Sequence, residues 1–256
     1  MPTNLQRTER IMEKITILIL MANPNTTAAL SLEKELSKIL EALNESSEKL
    51  KFEVISCYAA STNNLHKEFR KYQPQIVHFS GHGAGDKGLI FEDEGKNLQL
   101  ASTKALAGLF KLFKDTIGCV ILNACHSETQ VEEIHRYVNC VIGMNQAIGD
   151  NAAIEFSRGF YESLSFGDSF ERAYEFGCNA IELLTTSESE TPIIKIKERN
   201  AAPMPKPSSK PEPKPSVDDT SAGKGGNNTN LTLRDNSGQI VTGNSNTVNQ
   251  RSSEVS

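Results

Sequence analysis

The chain has 256 residues, 38% of them hydrophobic and 23% charged, with a formal net charge of −5. That leaves room for one sizeable domain and some additional sequence, and the mildly acidic balance carries no basic footprint for nucleic acid. No apolar run comes near the roughly 20 residues of a membrane span, and the first apolar stretch follows Glu13-Lys14 with no cleavage-site pattern, so a cytoplasmic protein is expected.

Residues 1–14 are polar and irregular and read as an N-terminal extension. Residues 15–21 (ITILILM) are rich in β-branched side chains and predict a strand, closed by the turn former Asn23-Pro24-Asn25. Leu32, Leu36, Ile39, Leu40 and Leu43 recur at helical spacing and predict an amphipathic helix over 31–43. A strand over 52–58 comes next, then a short helix over 65–72 that stops before Pro74. The next strand, 76–80, runs into a Gly-rich turn and a hairpin of 88–91 with 97–100. Ser102 is placed as the N-cap of a helix reaching about residue 114. Then come a strand over 118–122, a short helix over 131–137 and a strand over 139–143. Two amphipathic helices, 150–165 and 169–184, are joined by Phe166-Gly167-Asp168, and an edge strand over 192–196 closes the pattern. The alternation predicts an α/β sandwich over 15–198 with a mostly parallel sheet and right-handed crossovers.

Two segments stand out within this pattern. IVHFSGHG (76–83) and VILNACHS (120–127) are apolar runs that end abruptly in small and reactive residues. Buried parallel strands look like this where they open onto a site, and ligands in open α/β sheets bind beyond the carboxyl ends of the strands. Of the five cysteines, Cys57, Cys119, Cys140 and Cys178 lie in apolar strand or helix contexts that suit small core residues. Cys125 alone sits at a strand end among small polar neighbours. A catalytic thiol needs a base or a helix N-terminus beside it, and His82, in the Gly81-His82-Gly83 turn, is the candidate base. The amides of Gly83 and Cys125 are candidate donors to an oxyanion. His78 is expected to fill the sheet interior and His126 to point elsewhere. A zinc site from His78, His82, Cys125 and His126 has no standard ligand spacing. Asp86, Glu92, Asp93 and Glu94 read as solvated hairpin charges.

SGHG (80–83) and NACHS (123–127) resemble the histidine and cysteine motifs of caspase-like (clan CD) peptidases. With the strand opening LILMANP (18–24), GLIFED (88–93) and IGMNQAIGDNAAIEFSRGF (142–160), the sequence from about residue 15 to 196 resembles the separase-related CHAT domain of bacterial caspase-like proteins. The resemblance implies a caspase-type α/β sandwich acting on protein or peptide substrates, with His82 as general base and Cys125 as nucleophile. It also implies a histidine turned toward the leaving group rather than bonded to the resting thiol. No cofactor is implied, and a calcium requirement stays open. Relatives of the metacaspase type carry an acid two positions before the cysteine that helps to bind a basic P1 side chain. Here that position is Asn123, and the separase-like resemblance would place Asp150 near the S1 pocket as the alternative acid, with an N-cap for the next helix as its plain reading. A non-catalytic signalling adaptor is the competing class, and a metal-dependent hydrolase is the third reading.

The composition changes near Asn200. Six of the ten prolines lie between Pro203 and Pro215, and no aromatic residue occurs after Phe176. Residues 199–226 are therefore expected to be an extended spacer that buries no core. Residues 227–250 place isolated aliphatics among Asn, Thr and Gly, the ingredients of a cross-β segment, and 251–256 form a short tail. GQIVTGNSNTV (238–248) resembles bacterial amyloid-signalling motifs related to the RHIM motif, carried by Gln239, Ile240, Val241, Gly243, Asn244, Asn246 and Val248. The resemblance implies homotypic fibril assembly and recruitment by an NLR-like (STAND) receptor bearing a matching motif, in regulated cell death or antiphage defence. The alternatives are a disordered polar tail or a segment that pairs with the folded domain and restrains it.

Overall fold

The structure, a computed structural model, describes residues 13–25, 27–44, 50–184, 187–197, 231–234 and 240–241. The expected spacer and most of the amyloid-type motif (Gln239, Gly243, Asn244, Asn246 and Val248) lie outside the described residues. Strands β1 (Glu13–Met21), β2 (Leu50–Cys57), β3 (Ile76–Ser80), β6 (Cys119–Asn123) and β7 (Cys140–Met144) form a parallel sheet in the order β2-β1-β3-β6-β7. β8 (Pro192–Ile196) adds antiparallel to β7. The hairpin β4 (Gly88–Glu92) and β5 (Leu98–Ser102) stands apart from that sheet. The expected α/β sandwich with a mostly parallel sheet is formed.

Every residue of β3, β6 and β7 is buried, which explains why these strands read as unbroken apolar runs: a parallel sheet is covered on both faces. The period of two divides their side chains between two cores. Ile76, Cys119, Ile121 and Ile142 pack with α1 (Leu32–Asn44), α5 (Asp150–Ser165) and α6 (Phe170–Glu182). Val77, Phe79, Val120 and Leu122 pack with α2 (Leu65–Tyr72), α3 (Thr103–Leu112) and α4 (Glu128–His135). Ser102 caps α3 as expected, its Oγ accepting from Ala105 N at 3.2 Å, and Ser169 does the same for α6. Helix α4 starts three residues before the predicted 131 because Glu128-Thr129-Gln130 show no apolar period, although Gln130 is buried.

Two segments of the C-terminal region join the sheet. β9 (Leu231–Arg234) runs parallel to β2, and β10 (Ile240–Val241) pairs antiparallel with β9. Among the described residues, no helix is long and apolar enough to cross a membrane.

Candidate active site

The register of β3 against β6 sets the site. Ser80 is paired with Asn123, so His82 and Cys125 each lie two residues beyond a matched pair on adjacent parallel strands. Gly81 N donates to Asn123 O at 3.3 Å and continues the pairing past the strand ends. The two turns then touch through their backbones. A Cβ at Gly83 would fall 1.8 Å from the carbonyl oxygen of Cys125, so only glycine allows the approach. We expect Gly83→Ala to force the turns apart while leaving both cores intact. A displacement on the order of 1 Å costs about 100-fold in rate; kcat/KM and the melting temperature measured together test this, and unchanged kcat/KM would contradict it.

His82 is partly exposed, and its Nε2 lies 2.9 Å from Ala28 O. A carbonyl only accepts, so Nε2 carries the proton and Nδ1 of the neutral ring is left to accept one. The Ala28 carbonyl is itself anchored. Asn23, oriented so that both its amide atoms are satisfied, donates to Ala28 O and accepts from Leu30 N, each at 3.2 Å. Asn23 N donates to the Glu92 carboxylate at 2.7 Å. Glu92 is therefore not the solvated hairpin charge that its neighbours suggested: it is buried, and its own N donates to Ala60 O at 2.9 Å. The last residue of β4 faces the loop after β1, and unpaired backbone donors there draw the carboxylate inward. Asp86 is exposed and accepts from Thr129 Oγ1 at 2.5 Å. Asp93 stays in the hairpin turn, where hydrogen bonds from the Asn97 backbone and side chain hold its carboxyl below the usual value.

Cys125 follows β6 in a turn closed by His126 N donating to Gln146 O at 3.2 Å and Ser127 N donating to Met144 O at 2.8 Å. His126 adopts φ 53°, which turns its exposed side chain out of the strand direction. The thiol is partly exposed. The loop after β7 brings Ile148 to it, with the amide nitrogen 3.5 Å and the carbonyl oxygen 3.8 Å from Sγ. Burial pushes the Cys57 thiol up to about 12 and raises Cys119 and Cys178 as well. Thiols held protonated in this way are poor nucleophiles.

Beneath the strand ends lies a buried polar cluster. Glu35, on α1, accepts from His78 Nε2 at 3.1 Å, Asn123 Nδ2 at 2.6 Å and Ser157 Oγ at 2.6 Å, and also from Ser80 Oγ. His78 is fully buried, with Nδ1 3.1 Å from Tyr161 Oη. Its ring is thus committed to the interior and does not converge with His82, Cys125 and His126 on a metal. Among the described residues, no group of three His, Cys, Asp or Glu is arranged to hold one. Burial raises the Glu35 carboxyl, but the hydrogen bond and charge of His78 and the hydroxyls of Ser157 and Ser80 outweigh it and hold the group below its ordinary value. Asn123 Nδ2 also faces Ala153 O at 3.1 Å, while its Oδ1 is buried with no hydrogen-bond partner among the described residues.

Asp150 is the first residue of α5. The N-cap position falls on Gly149, which corrects the N-cap reading. The Asp150 carboxylate reaches across to Ser31, just before α1, accepting from its N at 3.4 and 3.2 Å. A cavity of about 360 Å³ is lined by Lys34, Asn151, Ile154, Glu155 and Leu184 and includes none of the candidate site residues.

Sequence reasoning singled out His82, Cys125, Gly83, Asn123 and Asp150, all of which the fold gathers at one end of the sheet. It missed Glu35, Glu92 and the Ala28 carbonyl. Glu35 had left a trace, because it lies three residues after Leu32 on the apolar face of α1. A backbone carbonyl leaves none.

The sequence profile of the CHAT domain family matches residues 3–174. A probable protease from Gillisia limnaea is 24% identical over 170 residues, which cover 65% of this chain and 30% of the relative. A Roc-COR-CHAT protease from an unidentified prokaryotic organism is 24% identical over 174 residues, covering 65% of this chain and 16% of the relative. This chain thus spans less than a third of the length of these relatives. Among solved structures, the Arg-specific cysteine proteinase gingipain R is similar with a TM-score of 0.54 at 14% identity, covering 75% of this chain and 47% of that one. The likeness is one of fold, an α/β sandwich around a mostly parallel sheet.

Proposed function

This chain belongs to the CHAT domain family, and we propose that it acts as a caspase-like cysteine endopeptidase. The observation that carries the reading is the matched pair of strand ends, which bring His82 and Cys125 onto turns in backbone contact. In the proposed reaction His82 takes the proton of the Cys125 thiol and the sulfur adds to the scissile carbonyl carbon. The amides of Gly83 and Cys125 donate to the oxyanion. His82 returns the proton to the leaving amine, and water then cleaves the thioester to free the acid and the thiol. The Ala28 carbonyl orients the imidazole and fixes its tautomer, the part a carboxylate plays in a triad.

For the P1 side chain we favour a cation. The Asp150 carboxylate lies in the first turn of α5 and uses its contact with Ser31 N without exhausting its lone pairs. We further place the chain in the cytoplasm as an effector of regulated cell death or antiphage defence. In that role a receptor of the NLR-like type would recruit it through a motif matching 238–248, and clustering on a fibril would concentrate the catalytic domains.

A peptidyl acyloxymethyl ketone tests the catalytic and P1 readings together. A reagent with arginine at P1 is expected to form a thioether on Cys125, and Asp150→Asn is expected to slow that reaction about tenfold or more, in keeping with loss of a charge-assisted contact. A leucine reagent should be indifferent to Asp150→Asn. Labelling of a different cysteine would overturn the nucleophile, and an unchanged arginine rate would overturn Asp150.

A further inference from the structure

Of the strands of the folded domain, β2 stands at the end of the sheet, and its outer edge would present a row of unpaired backbone groups to any extended segment. That edge is occupied by β9, in the register Phe52 with Leu231, Glu53 with Thr232, Val54 with Leu233 and Ile55 with Arg234. β10 in turn pairs Ile240 with Arg234 and Val241 with Leu233. β9 therefore has a neighbour on each side, and among the described residues the outermost strand at this end of the sheet is β10, Ile240–Val241. Very short edge strands are one way in which sheets avoid joining other chains.

A cross-β stack makes the opposite demand on the same backbone. Each stacked strand gives its groups to the chain above and the chain below. Ile240 and Val241, the centre of the amyloid-type motif, cannot meet that demand while β9 holds one side of them. We propose that the β2 edge and the cross-β stack compete for one C-terminal segment: seated on its own domain the segment is kept from assembling, and assembly must strip it from β2. The proposal rests on the reading of residues 227–250 as an assembling segment.

The seat is filled by the chain's own tail rather than a second copy's. β8 and β2 are five strand spacings apart in the sheet order, about 24 Å at the usual spacing. Residues 197–230, which join β8 to β9, have a contour several times that length at about 3.3 Å per residue. A tethered segment meets its site at an effective concentration up to the millimolar range, far above that of a neighbouring molecule in dilute solution.

The full chain with Cys125→Ala, Glu53→Cys and Thr232→Cys tests this. In-register residues on neighbouring strands lie about 4.8 Å apart, within the Cα span of a disulfide. Mild oxidation is expected to give an intramolecular 53–232 disulfide, read by mass spectrometry. The oxidised chain should form thioflavin-positive fibres about tenfold or more slowly than the same protein after reduction. The two single-cysteine variants should show no such difference, which controls for loss of the Lys14–Glu53 ion pair. Equal fibre rates before and after reduction would overturn the competition alone, and a disulfide formed only between chains would overturn seating on the chain's own β2. An intramolecular disulfide with no fibres even from the reduced chain would make the tail a fixed strand, overturning the competition together with the assembly reading.

Discussion

His82→Ala is expected to lower kcat for peptide cleavage by roughly 10²–10⁴-fold with little change in KM, because the imidazole serves the proton transfers rather than the binding of substrate. Cys125→Ala is expected to fall to background, since no neighbouring group can take over the covalent step. The two effects belong to one unit and should not add: the double variant should be no worse than Cys125→Ala by itself. Single-turnover cleavage of one fluorogenic peptide by the three variants checks this. His82→Ala with wild-type kcat would mean that Nδ1 is not the base, whatever its geometry.

Glu35→Ala is expected to destabilise the fold by about 3–5 kcal/mol, because a buried hydrogen-bonding group left without its acceptor costs about 1–3 kcal/mol and Glu35 serves several. Its loss would strand His78, Asn123, Ser157 and Ser80 in the interior. For a domain of this size the melting temperature should fall by roughly 10 °C. Acid sensitivity arises from the same group. The folded-state carboxyl titrates below its ordinary 4.5, so the unfolded chain takes up the proton first. The stabilisation is complete above about that pH and is lost as the pH falls through the folded-state value. Thermal melts of wild type between neutral pH and the acid range should show this loss, and Glu35→Gln should flatten it. An equal acid slope in both would place the titration elsewhere.

The sheet was legible in the sequence because parallel strands covered on both faces leave apolar runs, and the crossover helices between them keep a period near four. The positions of His82 and Cys125 were legible for a related reason: such runs end where the covering layers stop, and the residues just beyond are small and reactive. Long-range contacts that join a polar side chain to a distant backbone were not legible. Glu92 reads as one charge among four on a hairpin, and nothing in its own segment records that Asn23 N lies 2.7 Å away. Glu35 interrupts an apolar helix face, and that interruption was the signal, but its partners come from β3, β6 and α5. Asp150 shows the limit of local rules. Its place before a helix suggested a cap, yet the cap falls one residue earlier, on Gly149, and the carboxylate serves the start of another helix.

The most direct measurement is the cleavage of a mixed peptide library by the full chain and by Cys125→Ala, read by mass spectrometry. New termini that appear with the wild type and are absent with Cys125→Ala are the predicted result. Equal cleavage by both proteins, or none by the wild type in its fibre-assembled form, would contradict a peptidase built on His82 and Cys125.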